Sequence, residues 1–123
     1  MDASLIFRSA TTLLAIAFVS GLAMAIVRFG SDKQSPPWLA KLHGFAAVAA
    51  LTLLVFGWAN RQAPKAAAFG LVTLLVAAAT GVVLNLGYHW RQKALPEALV
   101  FAHMSIAFIG FHVVAMVLLS LSA

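Results

Sequence analysis

The chain has no cysteine, so disulfides and thiolate metal sites are excluded. Carboxylates are nearly as scarce. Asp2, Asp32 and Glu97 are the only three, and none falls deep inside an apolar segment. Paired-carboxylate hydrolysis therefore has no candidates, and a proton-driven carrier built on a buried acid is disfavoured. There is no P-loop, no Gly-rich dinucleotide turn and no nucleophile–base constellation. Charged residues make up only 9% of the chain, against about 25% in soluble domains. The net charge of +5 comes from eight Lys and Arg placed at segment ends. That is a membrane distribution and not a nucleic-acid footprint.

What remains is hydrocarbon. Of 123 residues 63% are hydrophobic, and the mean hydropathy is +1.02. Four segments approach or exceed the about 20 apolar residues needed to cross a bilayer: residues 8–29, 38–60, 65–89 and 96–122. Pro64 and Pro96 sit at segment starts, where a missing N–H costs nothing. "GLAMA" at 21–25 resembles a cleavage site. The apolar run before it is longer than a signal h-region of about 7–15 residues, so the first segment reads as a retained helix. Short connections force antiparallel neighbours. The expected fold is all-α, an integral membrane four-helix bundle forming a single domain.

The two halves match at an offset of 60. Leu14 aligns with Leu74, Ala17 with Ala77, Ser20 with Thr80 and Gly21 with Gly81. Pro36 aligns with Pro96, Leu39 with Leu99, His43 with His103 and Ala47 with Ala107; Ala50 meets Gly110. This predicts a duplicated helical hairpin, both copies entering the membrane in the same sense about an axis along its normal.

Under that repeat, His43 and His103 lie at equal depth on diagonal helices. Two imidazoles facing one axis could supply both axial ligands of a haem iron. Positions i+4 and i+7 share each histidine's face. They are Ala47 and Ala50 in one case, Ala107 and Gly110 in the other, all small enough to leave room for a flat ligand. Small residues also let membrane helices pack closely without a cofactor. Arg28, Lys33, Lys41, Arg91 and Lys93 flank the end from which the histidines descend, and Arg28, Lys41 and Arg91 are candidates to pair with propionates. Cations also set topology. Five on this end against Arg8, Arg61 and Lys65 on the other put loops 1–2 and 3–4 in the cytoplasm of a bacterial inner membrane.

The other histidines read differently. His89 in "GYHW" is an interfacial residue or, with His43 and His103, a third ligand for Zn or Cu. His112 lies nine residues after His103, half a turn out of phase and about 13.5 Å along the axis. It points outward at a costly depth. It either bonds locally or meets another subunit, a second copy, a pigment or a lipid headgroup; a carbonyl one turn back is already used by the helix, which favours the contact. Asn85 reads as a buried polar group bonding across to a neighbouring helix, or reaching a quinone carbonyl.

The layout resembles the small four-helix membrane b-type cytochromes that hold haem between two histidines. The resemblance rests on His43, His103, their small-residue faces and the helix count, and matches no family signature. It implies one haem b, electron transfer and possible contact with quinone, without independent catalysis. The alternative is a cofactor-free accessory or structural subunit of a larger respiratory or photosynthetic membrane complex. Expected partners are the bilayer and other membrane subunits or a homo-oligomer, with no nucleic acid.

Overall fold

In the computed structural model of the chain, residues 2–31 and 33–122 are described, Ser122 as backbone only. Helix α1 runs Ala3–Gly30, α2 Pro37–Ala59, α3 Lys65–Leu84 and α4 Glu97–Ser122. A π-helical turn, Asn85–His89, continues α3. All four helices are long and apolar enough to cross a membrane. Apolar residues surround each helix instead of forming one stripe, as suits helices that meet lipid outside and neighbours inside. Phe45, Val19 and Met116 are each about two-thirds exposed or more; these rings and chains face hydrocarbon.

Helix α1 begins five residues ahead of the sequence expectation. Asp2 explains it: its Oδ1 accepts from the Leu5 N–H at 2.8 Å, satisfying one of the free amides of the first turn. Helix α2 starts at the second of two prolines, with Pro36 as N-cap and Pro37 at the first helical position. Hydroxyls at membrane depth turn back on their own helices. Thr12, Thr52, Thr73 and Ser105 donate to the carbonyls of Arg8, Val48, Phe69 and Phe101, because lipid offers no other acceptor.

Each hairpin is tightly packed, α1 on α2 and α3 on α4. The hairpins meet mainly along α1 and α4, while α2 and α3 touch sparingly. The helices on each diagonal, α1/α3 and α2/α4, do not touch through their backbones. The core has two apolar layers. One, toward the 60–64 turn, draws on all four helices and contains Phe7, Leu14, Leu54, Leu71, Leu74 and Val114. The other, toward the 31–36 and 90–96 connections, contains Ala25, Leu84, Leu95 and Val100 and has no member on α2. Between them lies a layer of small and polar side chains. Since lipid tails are as apolar as leucine, close packing rather than water exclusion holds such a bundle. Gly110 illustrates it: a Cβ there would stand 2.7 Å from Leu74 Cγ.

The two connections on the histidine side brace each other across the hairpins. Arg28 Nε donates to the Leu95 carbonyl at 2.5 Å, and His89 Nε2 to the Ser35 carbonyl at 3.1 Å. Ser35 and Leu95 are 60 residues apart. The 60-residue partner of Arg28 is Tyr88, yet the donor is His89. A π turn carries an extra residue, and that residue shifts the donor by one. Gln34 Nε2 adds a bond to the Lys93 carbonyl, and Arg28 lies 3.5 Å from Glu97. Replacing Arg28 with Met should strand the buried Leu95 carbonyl and lower stability by about 1–3 kcal/mol, read as an earlier unfolding midpoint in a detergent titration. An unchanged midpoint would show the brace to be dispensable.

Candidate functional site: an inward-facing histidine pair

The middle layer is built from equivalent turns of the four helices. Ala17, Ser20 and Gly21 come from α1, His43, Ala46 and Ala47 from α2, Ala77, Thr80 and Gly81 from α3, and His103 and Ala107 from α4. Ala17, Ser20, Ala46 and Ala77 are buried; the two histidines, Ala47 and Ala107 are half-buried.

Each histidine reaches the first helix of its own hairpin. His43 Nδ1 lies 2.7 Å from the Ala17 carbonyl, and His103 Nδ1 lies 2.8 Å from the Ala77 carbonyl. Both bonds span 26 residues, so the 60-residue offset holds in space as well as in sequence. A carbonyl only accepts, so each Nδ1 carries the proton and each Nε2 keeps its lone pair. The rings lie against glycines, again in register. A Cβ on Gly21 would come 2.7 Å from His43 Cε1, and one on Gly81 would come 3.0 Å from His103 Cε1. The layer's polar neighbours are not alike. Ser20 gives its proton to the Ile16 carbonyl at 2.7 Å, whereas Thr80 gives its own to Ala77 at 2.7 Å and sits 3.0 Å from His103 Nδ1.

Across the bundle axis, the two imidazole centroids are 6.1 Å apart, with planes inclined at 76°. A metal bound by two imidazoles in line, at about 2 Å from each nitrogen, requires centroids about 6 Å apart. The donor set therefore suits a metal that accepts two neutral nitrogens: anchored Nδ1–H groups, free Nε2 lone pairs and no neighbouring carboxylate. A hydrogen bond from the far nitrogen to a carbonyl is the usual support of a metal-binding histidine.

The other sequence candidates fall elsewhere. Ala50 is fully buried in the leucine-rich layer and Gly110 packs on Leu74; their small size serves helix contact rather than room beside the histidines. His89 donates through Nε2 to the Ser35 carbonyl at the connections, and the described residues contain no cluster of three or more His, Asp and Glu side chains able to hold a metal. The three-histidine arrangement is thus not formed. Asn85 is exposed at the start of the π turn, not buried against a neighbouring helix, because the adjacent Leu84 takes the buried position and Asn85 stands about 100° further round. Lys41 and Arg91 are exposed, while Arg28 is the cation that reaches inward across the hairpins.

His112 is exposed on the outer face of α4. Its Nδ1 donates to the Phe108 carbonyl at 2.8 Å, and its ring lies 4.0 Å from the Phe108 ring. Of the two expectations the local bond is the one formed, because a helical carbonyl has a second lone pair. Only Nε2 is left.

Sequence reasoning aligned Ala17, Gly21, Ala77, Thr80 and Gly81 but gave them no part in the site. The signal was their coincidence at the same offset as the histidines. Comparison with protein-family models, curated proteins and solved structures finds no match.

Proposed function

We propose that the chain is a membrane electron-transfer protein or subunit that holds one b-type haem between His43 and His103. The observation that carries this reading is the pair itself: two imidazoles across the bundle axis, spaced for one metal, each with Nδ1 anchored to a carbonyl and Nε2 free. Haem in such a site supplies one-electron chemistry. The chain's own residues supply the rest. Ala17 and Ala77 fix the tautomers, Gly21 and Gly81 give the rings space, and the surrounding hydrocarbon excludes water. Arg28, Lys41 and Arg91 supply positive charge toward the loop end, where carboxylate groups would exit, on the cytoplasmic side of a bacterial inner membrane. Quinone is a suitable partner for electron exchange in such a setting.

The test is an optical spectrum of the purified protein. A reduced-minus-oxidised band of low-spin b-type haem is expected. Its absence after expression with sufficient haem would overturn the reading.

A second reading is favoured by one observation: two shallow, open grooves lie away from the histidines, on the outer face of α2 around Val48 and Thr52 and at the turn around Trp58 and Ala63. On that reading the polar layer only aligns the hairpins, and the chain is a cofactor-free accessory subunit. Under either reading, the spare Nε2 of His112 marks a contact with another subunit or a second copy. His112→Leu should leave the haem spectrum intact and weaken assembly in native gels of gently solubilised membranes; unchanged assembly would count against the contact.

A further inference from the structure

The two halves of the site differ at one pair of matched positions, Ser20 and Thr80. Both are three residues after the alanine whose carbonyl receives an imidazole. Ser20 turns its proton to Ile16 at 2.7 Å and makes only a 3.1 Å approach to Ala17. No contact to His43 accompanies it. Thr80 takes another rotamer, giving its proton to Ala77 at 2.7 Å, and its Oγ1 then lies 3.0 Å from His103 Nδ1. The proton assignment follows. Ala77 O only accepts, and it takes both the threonine proton and the Nδ1 proton. The threonine oxygen, its own proton committed, turns a lone pair toward Nδ1–H. His103 therefore shares its proton between two oxygens, whereas His43 has the Ala17 carbonyl alone.

We propose that Thr80 is a positioning residue that makes the two imidazoles unequal, accepting from His103 Nδ1–H and fixing that ring relative to His43. The proposal rests on the haem reading for its consequence, though not for the hydrogen bond itself. An acceptor on the far nitrogen makes a metal-bound imidazole a stronger donor, and hydrogen bonding around an axial ligand is one lever on haem potential. A stronger donor favours the oxidised iron. Thr80→Val keeps the shape and removes the oxygen, so the midpoint potential should rise.

Two measurements separate the possibilities. In haem-free protein, ring-nitrogen NMR should show the His103 Nδ1 proton resonance moving upfield in Thr80→Val and staying in place in Thr80→Ser. The His43 resonance should stay in place throughout. In haem-loaded protein, Thr80→Val should raise the midpoint potential, Thr80→Ser should restore it and Ser20→Ala should leave it unchanged. The proposal is overturned if the His103 resonance does not respond to Thr80→Val, or if Ser20→Ala shifts the potential as far as Thr80→Val. A protein that binds no haem ends the electron-transfer reading, and the NMR arm still decides the role of Thr80.

Discussion

His43→Ala and His103→Ala should each abolish the low-spin haem spectrum, while His89→Ala should leave it intact. The two imidazoles enter as a pair, and no third ligand stands close enough to substitute for either; the described residues hold no cluster of three. Retained haem should fall more than about tenfold in either variant, equivalent to at least ~1.4 kcal/mol of lost affinity. The fold should survive. Losing an imidazole removes one donor from the Ala17 or Ala77 carbonyl, and the Ser20 or Thr80 hydroxyl on the same carbonyl remains. Folding is checked by unchanged helical circular dichroism and a single peak on size exclusion. Haem content at wild-type levels in both variants would sink the cytochrome reading outright.

Gly21→Ala should be the most damaging single methyl added to the chain near the site. Its Cβ would stand 2.7 Å from His43 Cε1, closer than real Cβ atoms come, and 3.0 Å from Nδ1. The imidazole cannot yield without stretching its 2.7 Å bond to Ala17. Overpacking of this kind costs about 1–3 kcal/mol, and a displaced ring changes its 6.1 Å separation from His103. Gly81→Ala is milder, with 3.0 Å to Cε1 and 3.6 Å to Nδ1. Gly44→Ala, one residue from His43, meets nothing within 4 Å and should be neutral or slightly stabilising. Haem retention and detergent unfolding midpoints should both rank Gly44→Ala above Gly81→Ala, with Gly21→Ala lowest. Equal behaviour of the three would mean that the rings do not need these glycines.

The four helices were legible because apolar runs of membrane length allow little else. The histidine pair was legible because its spacing repeats with Pro36/Pro96 and Ser20-Gly21/Thr80-Gly81. The start of α1 was not, since a single cap by Asp2 decides it, and hydropathy does not register a cap. Asn85 was misread as buried from its place four residues after Gly81, whereas the buried position at that end of α3 belongs to Leu84. Ala50 and Gly110 share the histidine faces, yet at i+7 they lie about 10.5 Å deeper, in the layer that contains Leu14 and Leu74. Which helix each ring would touch depends on the relative register of helices, and no single segment encodes that. Ala17, Gly21, Ala77 and Gly81 could be aligned but not assigned for this reason.

The reciprocal bonds of the two hairpins bear on ancestry. Each half carries one imidazole, one accepting carbonyl and one clearing glycine, and needs its counterpart to complete the pair. A lone hairpin associating with its own copy would already possess the whole arrangement, so fusion of two identical genes is a sufficient origin. Fusion also releases each half from serving in both places. Thr80 against Ser20, the π turn against the regular end of α1, and His112 against Thr52 are differences that a homodimer could not have kept on one side only. Residues 1–62 and 63–123 made as separate chains should therefore still find each other in the membrane.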